Sequence, residues 1–162
     1  MIRVSVVATG RSRGRAGLTL TPRPAWDGGP LALGDERYVK VDAATLARMG
    51  EVSMATHDDA TLRIPTRFAL GFMKSMDNRK RSVGSKVFGE DCDSVIMSSA
   101  AFGHVGAGGS LGFADPVAGL SFGYTMNQMG PGLLMNGRGQ SLVDAAYRSL
   151  GYTNKDAGTW VK

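Results

Sequence analysis

The chain has 162 residues, of which 43% are hydrophobic and 20% charged, a composition typical of one globular domain and not of a disordered chain. No stretch approaches the ~18 consecutive apolar residues of a membrane-spanning helix, and the single Cys92 excludes an intrachain disulfide and a thiolate metal cage. The net charge of +5 comes from residues 1–26, which hold five arginines and no acid. The charge therefore indicates a basic N-terminal segment and not a nucleic-acid-binding face. No nucleic-acid and no membrane partner is expected.

Residues 1–30 differ in character from the rest of the chain. The arginine-rich and proline-rich runs 11–15 and 22–24 have no helical or strand period, and residues 2–7 allow only a short strand. We therefore expect residues 1–30 to be disordered or spuriously encoded, and residues 31–162 to form the domain. The expected compartment is the cytoplasm, with a mitochondrial location as the alternative if the arginine-rich start is a transit peptide.

The middle of the chain gives weaker signals. Asp42 can cap a helix over residues 42–50, which Gly50 would end in the left-handed conformation. Residues 68–73 are apolar enough for one buried strand. The mixed charges, glycines and serines of residues 74–94 predict a solvated loop.

From residue 100 onward the pattern predicts three antiparallel strands joined by tight turns. The predicted strands cover residues 101–105, 110–114 and 120–127, and glycines at 106, 108 and 109 force the first turn. In the second turn Pro116 presets φ and Gly119 supplies a positive φ. Large apolar residues alternate with small or polar ones, so one face of the sheet should be apolar: Leu111, Phe113, Leu120, Phe122, Tyr124 and Met126.

Residues 140–150 have the strongest helical pattern of the chain. Leu142, Ala146 and Leu150 recur at helical spacing, Ser141 with Asp144 resembles a capping box, and Gly151 suits the stop. Trp160 is expected to anchor the C-terminal segment by packing. The predicted fold is α+β: an antiparallel sheet with a C-terminal helix across one face.

Three chemical motifs match the sequence only superficially. The glycine-rich segment 103–110 approaches a phosphate-binding loop, but Gly109 stands where the loop needs lysine. Ser110 fits the pattern G-x-S-x-G, yet a strand follows it where a nucleophile elbow needs a helix. His57 and His104 have no metal-ligand spacing, so neither a metal nor a cofactor is expected.

Residues 100–151 closely resemble a known family. The segments that carry the likeness are Phe102-Gly103-His104-Val105-Gly106-Ala107-Gly108-Gly109-Ser110-Leu111-Gly112-Phe113-Ala114-Asp115-Pro116, Gly119–Asn127 and Gly137–Tyr147. They resemble the C-terminal signature of the β-lactamase-related serine hydrolases, which include class C β-lactamases, penicillin-binding proteins and family VIII carboxylesterases. The likeness is looser over residues 35–99 and absent over residues 1–30.

The resemblance implies a fold, a reaction and a partial site. The fold would be the C-terminal part of the β-lactamase/transpeptidase-like domain, and the reaction hydrolysis of a small ester, amide or β-lactam through an acyl-serine. His104-Val105-Gly106 stands at the place of the family's third motif, which is Lys-Thr-Gly or His-x-Gly. The backbone N–H of Ala107 would then be one oxyanion-hole donor, and Gly106 would leave the substrate carbonyl room to approach.

The family's other two motifs do not occur where the resemblance requires them. No serine of the chain has a lysine three residues later, and the Ser-x-x-Lys nucleophile is therefore absent. The sole Tyr-x-Asn match, Tyr152 to Asn154, follows His104 where it should precede it. We expect a chain that is inactive alone and prone to self-association through an exposed sheet edge. A non-catalytic binding or structural module, or the product of an incomplete or frameshifted gene, are the alternatives.

Overall fold

The computed structural model describes residues 4–10, 43–79, 82–83, 86–87, 93–154 and 158–162. The elements in chain order are β1 (Val4–Gly10), α1 (Ala43–Gly50), β2 (Met54–Thr56), β3 (Thr66–Phe68), β4 (Met73–Lys74), β5 (Ser82–Val83), β6 (Lys86–Val87), β7 (Phe102–Gly106), β8 (Ser110–Asp115), β9 (Leu120–Met126) and α2 (Gly137–Ser149).

One sheet dominates this α+β arrangement, with the strand order β1-β9-β8-β7-β4-β3-β2. The strands from β2 to β9 in this order are antiparallel, and β1 lies parallel to β9. The predicted three-stranded unit is confirmed as β7–β9. It does not stand alone, because β4 pairs with β7 and β1 pairs with β9. Strands β5 and β6 form a separate hairpin.

The two faces of β7–β9 differ as the alternation predicts. Leu111, Phe113 and Phe122 are buried on the face that α2 covers, and the Phe113 ring stacks on the Tyr147 ring at 6.1 Å. The opposite face presents the exposed His104. The core between sheet and helix consists of buried apolar side chains: Val95, Met97, Val105, Leu111, Phe113, Phe122, Leu134, Met135, Val143, Ala146, Tyr147 and Trp160.

Helix α2 begins earlier than predicted, because its cap is a different residue. Asn136 has extended backbone, and its side chain accepts a hydrogen bond from the Gly139 N–H, which makes it the N-cap. The predicted capping box at Ser141 is therefore wrong, and the Ser141 hydroxyl donates to the Arg138 carbonyl instead. The predicted stop is confirmed, since Gly151 adopts a φ of 78° directly after the helix.

A buried polar network ties α2 to the end of β8. The Asp115 side chain is 1% exposed and accepts hydrogen bonds from the Tyr147 hydroxyl at 2.8 Å and the Ser98 hydroxyl at 2.5 Å. It also accepts from the backbone N–H groups of Val117 and Ala118, which shapes the β8–β9 turn. A buried carboxylate with this many donors is satisfied. The network fixes the helix over the sheet at one position.

Two predictions for the middle of the chain are wrong. Residues 68–73 do not form one strand: β3 ends at Phe68, a turn with Gly71 at φ 78° follows, and β4 begins at Met73. Residues 74–94 are not simply a solvated loop, because Lys74 to Met76 are buried and Met76 bridges to Val95. The remaining residues of that range are described only at 77–79, at β5 and β6, and at 93–94.

The chain ends are described in part. Val4–Gly10 forms β1, and the rest of the segment 1–30 lies outside the described residues, as do Asp42 and Cys92. Gly50 is the last residue of α1 without the predicted left-handed conformation. Trp160 is buried and stacks on Tyr147 at 5.6 Å, which confirms the predicted anchor. Among the described residues, no helix combines the length and the apolar character that crossing a membrane requires.

Candidate functional site

The candidate site lies at the turn that joins β7 to β8. Gly108 and Gly109 adopt φ angles of 84° and 103°, which side-chain-bearing residues rarely take. A side chain on Gly109 would also collide with Asn136, and one on Gly108 would press against Met129. The Gly-Gly pair is therefore required both by its backbone conformation and by the close packing around it.

Hydrogen bonds from two sides hold this turn in place. The Gly108 N–H donates to the Gly132 carbonyl at 3.2 Å, and the Gly108 carbonyl accepts from the Gly130 N–H at 3.0 Å. The same carbonyl accepts from the side-chain amide of Asn136 at 2.8 Å. Because Asn136 also caps α2, the turn and the helix start are coupled. A turn fixed in this way is preorganised, as electrostatic stabilisation of a developing charge requires.

Ala107 is the exposed residue of the turn. In the described hydrogen bonds of the turn, the N–H groups of Gly108 and Gly109 donate and the Ala107 N–H does not. Gly106, directly before it, is half-buried, and a side chain there would collide with the Ser110 hydroxyl. The Ala107 N–H is thus a fixed backbone donor at the mouth of the β7–β8 hairpin.

His104 lies three residues before Ala107, on the sheet face opposite α2. Its Nδ1 is 2.7 Å from the carbonyl oxygen of Val105. A carbonyl can only accept, so Nδ1 carries the proton, and in the neutral ring Nε2 keeps its lone pair. The ring lies 6.4 Å from the Phe68 ring, centroid to centroid, which gives it one apolar neighbour. Nε2 is the nitrogen available to accept a proton or a hydrogen bond.

The sheet surface beside His104 is bare. Gly112 lies opposite His104 on β8, and Gly123 lies opposite Gly112 on β9. A Cβ atom at either glycine would meet no heavy atom within 4 Å. The row beyond the imidazole therefore carries no side chain across two strand spacings of ~4.8 Å. The bare strip is wide enough to receive a small acyl group.

Ser110 is on the same sheet face but is not arranged as a nucleophile. It opens β8 opposite Gly106, so a turn precedes it and a strand follows it. The side chain is half-buried, and no hydrogen bond between Ser110 and His104 is among those of the described residues. A nucleophile elbow instead places serine between a strand and a helix and aims the base at its hydroxyl.

The Tyr-x-Asn match at Tyr152 and the second histidine, His57, both lie away from His104 in the structure. Tyr152 packs on Tyr147 at 5.3 Å, on the α2 side of the sheet, so the Tyr-x-Asn match at Tyr152 is remote from the bare strip. His57 lines a different cleft. Within the described part of the chain, no three His, Cys, Asp or Glu side chains are grouped to hold a metal ion.

Asn136 is the site residue that sequence reasoning missed. The sequence indicates this cap only by an asparagine directly before Gly137-Arg138-Gly139, whereas the apolar helical period begins at residue 142. The second role of Asn136, the bond from its amide to the Gly108 carbonyl, spans 28 residues and leaves no local pattern.

The amino-acid sequence matches no family model and no curated protein. A functional assignment therefore depends on the geometry of the β7–β8 hairpin and on the residues that form it.

Proposed function

We propose that this chain provides one wall of a β-lactamase-related acyl-transfer site, with His104, Gly106 and Ala107 as its contribution. The substrate class is a small ester, amide or β-lactam. The observation that carries the proposal is the position of Ala107, an exposed residue of a fixed turn whose N–H donates to none of the described turn bonds, at the end of the strand that presents His104. The fold behind it would be the C-terminal part of the β-lactamase/transpeptidase-like domain.

The roles follow from the chemistry of acyl transfer. The Ala107 N–H would donate to the oxyanion that forms when a nucleophile attacks the substrate carbonyl, and the loss of one such donor costs ~3–4 kcal/mol of transition-state stabilisation in other serine hydrolases. Gly106 keeps the approach to that N–H free of a side chain. His104 would orient a hydroxyl or a water through Nε2, and when protonated it would bind a substrate carboxylate.

The nucleophile must come from a Ser-x-x-Lys element that this chain lacks. The proposal therefore has a direct test by complementation in trans. The complete chain is mixed with a separately expressed N-terminal part of a class C-type esterase that carries Ser-x-x-Lys and Tyr-x-Asn. Hydrolysis of p-nitrophenyl butyrate and labelling by a fluorophosphonate probe are then measured.

We expect activity above the sum of the two parts, and label on the serine of the added part. Replacement of that serine by alanine should abolish both signals, and His104→Ala should lower kcat/KM while slow acylation persists. The absence of any gain with the chain at saturating concentration contradicts the proposal.

A non-catalytic binding module is the second candidate, favoured by the absence of any serine followed by lysine at the required spacing. Such a module would retain the bare strip at Gly112 and Gly123 as a binding surface. It predicts that p-nitrophenyl butyrate hydrolysis stays at the level of the added part alone, whether or not the two polypeptides associate on size exclusion.

A further inference from the structure

A second cleft lies at the opposite end of β7 from Ala107. Its volume is about 410 Å³, within the range of small-molecule sites. Ser99 lines it before β7 begins, whereas Ala107 follows the strand's end. The five residues of β7 span ~17 Å, so this cleft and the hairpin turn are separate places. Thr56, Arg67 and Thr159 form other parts of its wall.

Arg67 is a positively charged residue of this cleft that has no acidic partner among the described residues. Its side chain is exposed and donates from one guanidinium nitrogen to the Ser75 carbonyl at 3.1 Å, with no ion pair among the described residues. Asp77 also lines the cleft, but both of its carboxylate oxygens already accept from Arg79, at 2.8 and 2.6 Å. Arg67 therefore keeps most of its donors free.

A second cation increases the positive charge behind Arg67. Phe68 pairs with Met73, so Arg67 and Lys74 oppose one another on β3 and β4. Lys74 is 3% exposed, and its amine lies 6.0 Å from the centre of the Phe102 ring. Burial and then the charge of Arg67 lower the pKa of Lys74. The acid that acts in the opposite direction is Asp115, whose oxygens are occupied by Ser98, Tyr147 and the β8–β9 turn.

The wall of the cleft is fixed before a ligand arrives. Asn78 is buried, and its amide donates to the carbonyls of Pro65 and Asp93 at 3.1 and 2.6 Å. The Thr159 hydroxyl donates to the Met97 carbonyl at 2.8 Å, which holds the C-terminal segment against the rim. A guanidinium in a fixed, hydroxyl-lined cleft can bind a planar or tetrahedral oxyanion through two parallel hydrogen bonds.

We propose that this cleft binds a small oxyanion ligand, a carboxylate or a phosphate monoester, through Arg67. The bound anion would neutralise Arg67, whose charge otherwise acts on the buried Lys74. The inference is independent of the proposed acyl-transfer function, because none of its residues lies at the β7–β8 turn.

The test is anion binding by the complete chain. Inorganic phosphate and acetate are titrated separately at constant ionic strength set with sodium chloride, with calorimetry and thermal melting as readouts. We expect one of the two to bind saturably and raise Tm, and the one that does identifies the ligand as phosphate or carboxylate. Arg67→Gln should weaken that binding at least about tenfold, and Arg67→Lys should restore it in part.

Two further variants keep the result interpretable. Arg63→Gln is the matched control, because Arg63 is an exposed arginine paired with Asp58 outside the cleft and should bind the anion like wild type. Ser99→Asp places a negative charge at an exposed lining position and should abolish binding without touching Arg67. Saturable binding that Arg67→Gln and Ser99→Asp both leave unchanged overturns the proposal, and so does a response to neither anion beyond that of chloride.

Discussion

His104 and Gly112 are directly opposed residues of the β7–β8 ladder, and the imidazole is exposed beside a residue with no side chain. The same bare surface continues at Gly123 on β9. The opposite face of these strands carries the packed core, so glycine here costs the core nothing. The strip next to the exposed His104 thus consists of the exposed Gly112 and the half-buried Gly123, and Ala107 lies at its hairpin end.

The two glycines at 109 and 112 should respond in opposite ways to alanine. Gly109→Ala forces a side chain into a φ of 103° and against Asn136, and we expect a loss of about 2 kcal/mol or more. Gly112→Ala enters open space in a strand and should be neutral or stabilising by up to about 1 kcal/mol. Urea denaturation of both variants measures this, and equal destabilisation would contradict the described turn.

The Tyr147 hydroxyl should stabilise the fold at neutral pH and lose this contribution at alkaline pH. Tyr147→Phe removes the donor to Asp115 and the acceptor of the Ser98 N–H, at a cost of about 1–3 kcal/mol. Tyr124→Phe is the matched control, since Tyr124 is a buried tyrosine of the same core whose hydroxyl has no described hydrogen bond. Unfolding in urea at pH 7 should show a clearly larger loss for Tyr147→Phe.

The loss of stability at alkaline pH follows from the direction in which folding shifts the pKa of Tyr147. Burial, and then the nearby Asp115 charge, raise the pKa of Tyr147 above its ordinary value of 10.0. A group whose pKa is raised by folding contributes its full stability at pH values below its pKa in the unfolded chain. That contribution is lost as the pH rises from the unfolded pKa toward the folded one. Wild-type stability should therefore fall above pH 10 more steeply than that of Tyr147→Phe, and parallel curves would disprove the assignment.

The Asp59 carboxylate should stabilise the fold at neutral pH and lose this contribution at acid pH. Its carboxylate accepts from the backbone N–H groups of Leu62 and Thr61 at 2.8 and 2.9 Å and from the Thr66 hydroxyl at 3.1 Å. These hydrogen bonds lower the pKa of Asp59 below its ordinary value of 3.8, and the bond from the Leu62 N–H has the largest effect. The contribution is present above pH 3.8 and is lost as the pH falls through the lowered pKa. The stability advantage of wild type over Asp59→Asn should shrink below pH 4, and an advantage constant from pH 6 to 2 would contradict this.

The chain alone should not hydrolyse esters or β-lactams. A chromogenic cephalosporin, p-nitrophenyl butyrate and a fluorophosphonate probe test this, with Ser110→Ala as the control variant. We expect no turnover and no label, because Ser110 opens a strand and no hydrogen bond to His104 activates it. Stoichiometric label that Ser110→Ala removes would make Ser110 a nucleophile and reverse this interpretation.

Local patterns predicted the part of the fold whose signals are local. The alternation from Leu111 to Met126 and the turn residues Pro116 and Gly119 predicted β8, β9 and their connection. Strand β7 was also predicted within one residue of its observed ends. In these segments, side-chain period and turn chemistry indicate the same structure.

The features that escaped prediction depend on distant residues. The apolar run from Phe68 to Met73 has no period that marks a turn, so its pattern predicts one strand through Gly71. The pairing of β4 with β7 joins residues about thirty positions apart, and so does the bond from Asn136 to the Gly108 carbonyl. Similarly, the cleft at Arg67 combines five separate segments of the chain, which no sequence window brings together.

Ala107→Pro isolates the oxyanion role that we propose for the Ala107 N–H. Proline deletes the N–H, which the described hydrogen bonds of the turn do not use, and Ala107→Gly is the control that keeps it. In the complemented assay with p-nitrophenyl butyrate, Ala107→Pro should lower kcat by about 10²–10³ while Ala107→Gly stays near wild type, with both variants melting like wild type. Equal kcat for wild type and a folded Ala107→Pro would show that the Ala107 N–H does not stabilise the oxyanion.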